Sequence, residues 1–251
     1  MTAVYVYGIA RAADKTEVQA PGVGADKARV RRVVYGDLVA LVSDVEAGPM
    51  VAARGLRAHW RVLEEAAANA TVLPVRFGTV MEDEKAVVDR FLAPRHDHLV
   101  AQLAGLSGKV QLSVKAFYDE DRLMLGVVQG SPAVAQLRER VRGRPKAATY
   151  YDRIQLGELV ATEVERSRER DSAMLFERLE PLAVAAHSEP PGTPDAAVNA
   201  AFLVERSRVD EFSEAVAQLA DEVGGRMRLR YVGPLPPYSF TEEQEAVGPW
   251  A

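Results

Sequence analysis

Residues 198–232 read VNAAFLVERSRVDEFSEAVAQLADEVGGRMRLRYV, and their periodicity changes twice. Val198–Val204 is a β-rich run. Phe212, Ala215, Val216, Leu219 and Val223 then recur at three- and four-residue spacing, which is the apolar stripe of an amphipathic helix. Gly224-Gly225 stops that helix, and Arg226–Val232 alternates again as a strand. A compact β–α–β run of this kind predicts an α+β unit with helices laid on one face of a mostly antiparallel sheet, and ferredoxin-like topology is the economical form of it.

Upstream, Val110, Leu112, Val114, Ala116 and Tyr118 alternate with Gln111, Ser113, Lys115, Phe117 and Asp119, a half-buried strand. Helical sequence fills most of 120–186, broken near Gly130-Ser-Pro132 and Gly143–Pro145. A loop rich in proline and glycine follows at 188–196. These elements make a C-terminal domain, 108–251, that is ferredoxin-like with a long helical insertion. The N-terminal domain, 1–107, is α+β as well. Its first strand spans residues 3–9, with Val4 and Val6 on one face and Tyr5, Tyr7 and Ile9 on the other. Val30–Tyr35 and Leu38–Ser43 flank Gly36-Asp37 as a hairpin. A helix starts near Val51, with a stripe of Leu56, Trp60, Leu63, Ala67 and Ala70. TVLPVRFGTV (71–80) reads as a short strand whose Pro74 places it at an edge or a strand start. Residues 82–105 read as helix with a break at Ala93-Pro94.

The chain has 251 residues, no cysteine and a formal net charge of −5. A disulfide framework, a thiolate metal site and a cysteine nucleophile are thereby excluded. The charge gives no support for bulk binding to nucleic acid. No stretch approaches the ~20 apolar residues of a membrane span, and MTAVYVYGIA is not a secretory leader, so a cytoplasmic protein is expected. His96 and His98 fall about 200° apart on a helix, which is no metal site. PGVGAD (21–26) lacks the third glycine of a dinucleotide loop and leads towards strand, so it reads as a surface loop. The carboxylate clusters sit at turns and helix starts, where they favour the helix dipole. His59 reads as a packed, hydrogen-bonded side chain. Neither catalytic residues nor a cofactor or metal site emerge, and an enzyme is not expected.

Two surfaces stand out instead. Arg226, Arg228 and Arg230 alternate with Met227, Leu229 and Tyr231, so one face of the last strand carries three guanidiniums. They either protect the strand from edge pairing or dock an acidic or carbonyl-rich partner. ATEVERSRERDSAM (161–174) is a helix with almost no apolar stripe, read as a solvated face laced with charge pairs.

HWRVLEEAAANATVLPVRFGTVMEDEKAV (59–87) and YVGPLPPYSF (231–240) together resemble the gas vesicle accessory protein F/L family. The resemblance covers essentially the whole chain and includes the opening strand VYVYGI; Leu235 stands where the family often carries tryptophan. It implies a cytoplasmic, non-catalytic accessory protein associated with gas vesicles, with two α+β domains. Its implied partners are the small hydrophobic shell protein, bound during nucleation or growth, and other gas vesicle accessory proteins. A ferredoxin-like ligand-sensing or regulatory module is the alternative. Within the motifs, Arg76 points away from Leu73, Val75 and Phe77 and is a candidate partner contact with Arg226, Arg228 and Arg230. Pro74, Phe77 and Gly78 serve the fold, with Phe77 in the core and Gly78 in a close turn. Gly233 and Pro234 are expected to end the last ladder, and Pro236-Pro237 to hold an extended path. Tyr238 and Phe240 then fold back as a structural clasp.

Overall fold

A computed structural model of the chain describes residues 2–24, 28–46 and 52–241. Contacts divide the described residues into two units, one within 1–111 together with 234–241, and the other 112–233. The expected division into 1–107 and 108–251 puts the proline segment in the C-terminal domain; in the structure, residues 234–241 cluster with the N-terminal unit.

The N-terminal unit is built on β1 (Thr2–Arg11), β2 (Arg31–Tyr35) and β3 (Leu38–Glu46). β2 and β3 form the expected antiparallel hairpin, closed by Tyr35 opposite Leu38, with Gly36 at φ +58° in the turn. The sheet runs β2-β3-β1-β4, and β5 also pairs with β1. β1 is therefore central, and Val4 and Val6 are as buried as Tyr5, Tyr7 and Ile9. Alternation in the sequence marks the two faces but not that both are covered. The register of β1 on β3 slips between Val6 and Gly8, leaving Tyr7 as the extra residue of a bulge. Gly8 sits where α1 (Ala52–Asn69) presses on β1: a Cβ there would come within 2.8 Å of Leu63 and Val72 and 2.9 Å of the Leu73 carbonyl oxygen.

The buried side of α1 is His59, Val62, Leu63, Ala66 and, just beyond its end, Ala70, whereas Leu56 is exposed. The expected stripe is thus rotated by about one position, because a histidine takes a core place that a hydropathy count gives to leucine. Val51, the expected helix start, lies outside the described residues. The stretch 71–80 is not one strand. β4 (Leu73–Pro74) and β5 (Val80–Met81) are two short pieces joined through a turn with Gly78 at φ +92°. Pro74 lies at the sheet edge, as its missing N–H requires. Asp83 caps α2 (Glu84–Ala86), which passes through a π-helical turn at Val87–Leu92 and a 3₁₀ turn at Ala93–Arg95 into α3 (His96–Leu106).

In the C-terminal unit, β6 (Lys109–Tyr118) leads into α4 (Glu120–Gly130), α5 (Pro132–Val141) and the 30-residue α6 (Tyr150–Leu179). The helix does not reach residue 186. Ala185–Ser188 is strand β7, antiparallel to β8 (Ala196–Glu205), so His187 sits in a strand. α7 (Val209–Val223) and β9 (Met227–Leu235) complete the sheet, whose order is β7-β8-β6-β9. β9 continues through Gly233 and Pro234, two residues expected to end the ladder. An edge strand tolerates proline because half its N–H groups have no ladder partner. The stripe on α7 is as read, with Phe212, Val216, Leu219 and Val223 buried.

Candidate functional site

Four segments distant in sequence meet at one buried point of the N-terminal unit. β1 brings Tyr5 and Tyr7, with ring centroids 4.9 Å apart. α1 brings His59, whose ring lies 5.7 Å from each tyrosine ring. The turn after β4 brings Phe77, 5.6 Å from His59. The proline segment brings Tyr238, which packs on Trp60 at 4.7 Å.

The polar atoms of the cluster form a chain. The Gly78 N–H donates to the Tyr5 hydroxyl at 3.0 Å. That hydroxyl lies 2.9 Å from His59 Nδ1, and His59 Nε2 lies 3.0 Å from the Tyr238 hydroxyl. A neutral imidazole has one donor and one acceptor. One of the two tyrosine contacts therefore has the imidazole donating and the other has it accepting, and the tautomer sets which is which. Burial drives the His59 pKa from 6.5 down to about 4, against a smaller upward pull from a backbone bond at Val75. Burial also raises Tyr5 and Tyr238 well above the usual phenol value. Every one of these groups is therefore neutral at pH 7. Beside it, the Tyr7 hydroxyl bonds Ser43 at 2.7 Å and accepts from the Val23 N–H at 2.5 Å, which ties down the loop read from PGVGAD. Ala25 and Asp26 of that loop lie outside the described residues.

The structural motif residues behave as a set. Pro74, Pro236 and Pro237 are buried, Phe77 is half-buried within the cluster, and Gly78 supplies both the turn and the N–H for Tyr5. Ser239 is held by Gln111, whose Oε1 accepts the Ser239 N–H at 2.8 Å. Phe240 is half-buried; its N–H donates to the Pro237 carbonyl at 3.1 Å.

The candidate partner contacts divide. Arg76 is exposed, and its guanidinium has no carboxylate partner among the described residues. Arg228 lies over the Phe117 ring at 5.7 Å, and Arg230 is exposed beside it. With Phe117, Thr193, Asp195, Leu229 and Tyr231 they line a groove of about 590 Å³. Arg226 differs, for it pairs with Asp171 on α6, whose other oxygen accepts from the Tyr118 hydroxyl at 2.6 Å. Asp171 is 6% exposed. The sequence reading missed it inside ATEVERSRERDSAM, where it looks like one more solvated charge. The rest of that stretch pairs as read, at i,i+3 spacing: Arg166 with Glu163 and Arg168 with Glu165.

Among the described residues no group of three or more His, Asp or Glu side chains could hold a metal ion. His96, at the start of α3, instead bonds Asp37 in the β2–β3 turn at 2.6 Å and Asp97 at 3.0 Å. Those carboxylates raise its pKa. Nor is any described helix long and apolar enough to cross a membrane.

Known proteins resemble this chain along almost its whole length. Gas vesicle protein F of a Streptomyces species (strain CB03234) is 37% identical over 241 residues, covering 95% of this chain and 99% of that one. The crystal structure of the gas vesicle protein GvpF from Anabaena sp. PCC7120 superposes with a TM-score of 0.81 at 26% identity, covering 98% of this chain and all of the other. GvpF from Microcystis aeruginosa gives 0.76 at 28% identity, over 96% and 99% of the two chains. Residues 3–242 match the family described as gas vesicle synthesis protein GvpL/GvpF, and the chain belongs to it.

Proposed function

We propose that the protein is a non-catalytic accessory factor that binds the gas vesicle shell protein during nucleation or growth of the vesicle, in the cytoplasm and together with other accessory proteins. The observation that carries this reading is where the family-marking residues go. His59, Gly78 and Tyr238 are spent with Tyr5 on one neutral hydrogen-bonded chain, and Phe77 packs against the His59 ring. That use of the motif residues supports a non-catalytic role, and membership of a gas vesicle synthesis family supplies the process. A subunit with a large apolar face self-associates in water, so a partner that covers it or orders its addition has a physical purpose.

Contact then falls to exposed side chains. Arg76, Arg228 and Arg230 are the proposed contacts, with Arg226 anchoring the same row through Asp171. Supporting the ferredoxin-like reading, the C-terminal unit has element order β-α-β-β-α-β and strand order β9-β6-β8-β7. We further infer that the functional domains follow the contact units, with the proline segment part of the first.

Deletion in a gas vesicle producer, complemented with wild type or Arg76→Glu, tests the role. Loss of flotation without the protein and co-purification of shell protein with the wild type are expected. Normal flotation after deletion, with no paralogue present, overturns the proposal.

A further inference from the structure

β9 forms an open edge of its sheet, and its register shows which backbone groups are unpaired. The Asp119 N–H donates to the Arg226 carbonyl at 3.1 Å, so Arg226 faces β6. The Arg228 guanidinium over Phe117 agrees with the next step of that register. Backbone polarity alternates along a strand, so Arg228 and Arg230 also face β6, and the N–H and C=O groups of Met227, Leu229 and Tyr231 face outward. Tyr231 and its neighbours send their side chains to the helix face, where the Tyr231 hydroxyl lies 2.9 Å from Ser213 on α7. Arg228 and Arg230 occupy the opposite face, together with exposed Lys115 of β6. Among the described residues none of the three cations has an ion-pair partner, although Asp195 lines the same groove.

The other edges lack this combination. On β2, Arg31 is already paired with Asp44 and Glu84, and β7 has only four residues.

We propose that β9 takes an additional strand: an extended acidic segment of a partner protein whose backbone pairs with Met227–Tyr231 and whose alternate carboxylates lie over Arg228, Arg230 and Lys115. Strand addition draws affinity from main-chain hydrogen bonds and specificity from alternate side chains. A second β9 is disfavoured, because overlapping pairing would set guanidiniums beside one another. The inference rests on the reading that Arg228 and Arg230 face a partner, but not on that partner being the shell protein.

The probe is a fluorescein-labelled nine-residue peptide alternating glutamate with valine, titrated against the full chain by anisotropy. Saturable binding is expected, at least tenfold weaker for R228E/R230E and for a peptide N-methylated at the alternate amides that would face β9. Equal binding of the N-methylated or a lysine-for-glutamate peptide, or no saturable binding, overturns the proposal. Because N-methylation leaves the protein untouched, the test stands even if the double variant folds poorly. Flotation and shell-protein capture report on the assembly role independently, so either proposal can fail without the other.

Discussion

His59 and Tyr238 stand 179 positions apart and share a 3.0 Å hydrogen bond inside the N-terminal unit. The imidazole is the middle of a chain that begins at the Gly78 N–H and ends at the Tyr238 hydroxyl. Its consequences for stability can be worked out with signs and sizes.

The pKa of His59 is lower in the fold than in the unfolded chain, so the unfolded chain takes up the proton first. The stability that the neutral imidazole contributes is complete above pH 6.5 and is lost as pH falls through about 4. The full loss is about 3 kcal/mol. Urea melts between pH 7 and 5 should show falling stability with wild type and a flatter slope with His59→Gln. An unchanged slope would mean that His59 titrates alike in both states.

Tyr238→Phe keeps the ring on Trp60 but leaves His59 Nε2 without its hydroxyl partner in a buried place. A cost of about 1–2 kcal/mol is expected. Replacing Tyr238 and Phe240 together by alanine also removes the packing and should cost about 2–4 kcal/mol. Fluorescence of Trp60 in a Trp250→Phe background follows this unit alone.

Gly8→Ala drives a methyl group against Leu63, Val72 and the Leu73 carbonyl at the bulge of β1. Backbone has to move, so a loss of about 1–3 kcal/mol is expected. Gly78→Ala meets nothing within 4 Å and is strained only by φ +92°. Its cost should be about 1–2 kcal/mol. Differential scanning calorimetry of the two variants ranks them.

In the C-terminal unit, Arg226→Met leaves buried Asp171 bonded to the Tyr118 hydroxyl but without its guanidinium partner and should cost about 2–4 kcal/mol. Asp171→Asn combined with Arg226→Met should recover part of that loss, since no unpaired charge remains. A double-mutant cycle by urea denaturation measures the coupling; additive losses would show that the pair acts independently.

Periodicity carried most of the fold. The α7 stripe, the β2–β3 hairpin and the alternation of β6 are local signals, and all three elements stand where those signals put them. β7 was not legible, because Ala185–Ser188 has little β-branched character and is a strand through its pairing with β8. Asp171 was hidden for a related reason. Among Glu165, Arg166, Arg168, Glu169 and Arg170 nothing local singles out the one charge that faces inward. The place of His59 was half legible: a packed side chain can be read from its helix, but its partners lie 54 residues before it and 179 after it. Sequence spacing holds no trace of such a meeting.

The placement of residues 234–241 in the same unit as the N-terminal sheet has a consequence for synthesis. The cluster around His59 lacks its last member until Tyr238 has been made. At roughly 5–20 residues per second, the ribosome needs on the order of 10–30 s to travel from Gly78 to Tyr238. Meanwhile residues 112–233 emerge with all their own sheet strands and helices. The unit that starts first is therefore finished last, and its nascent form exposes an imidazole and aromatic rings that a chaperone could hold until Tyr238 emerges.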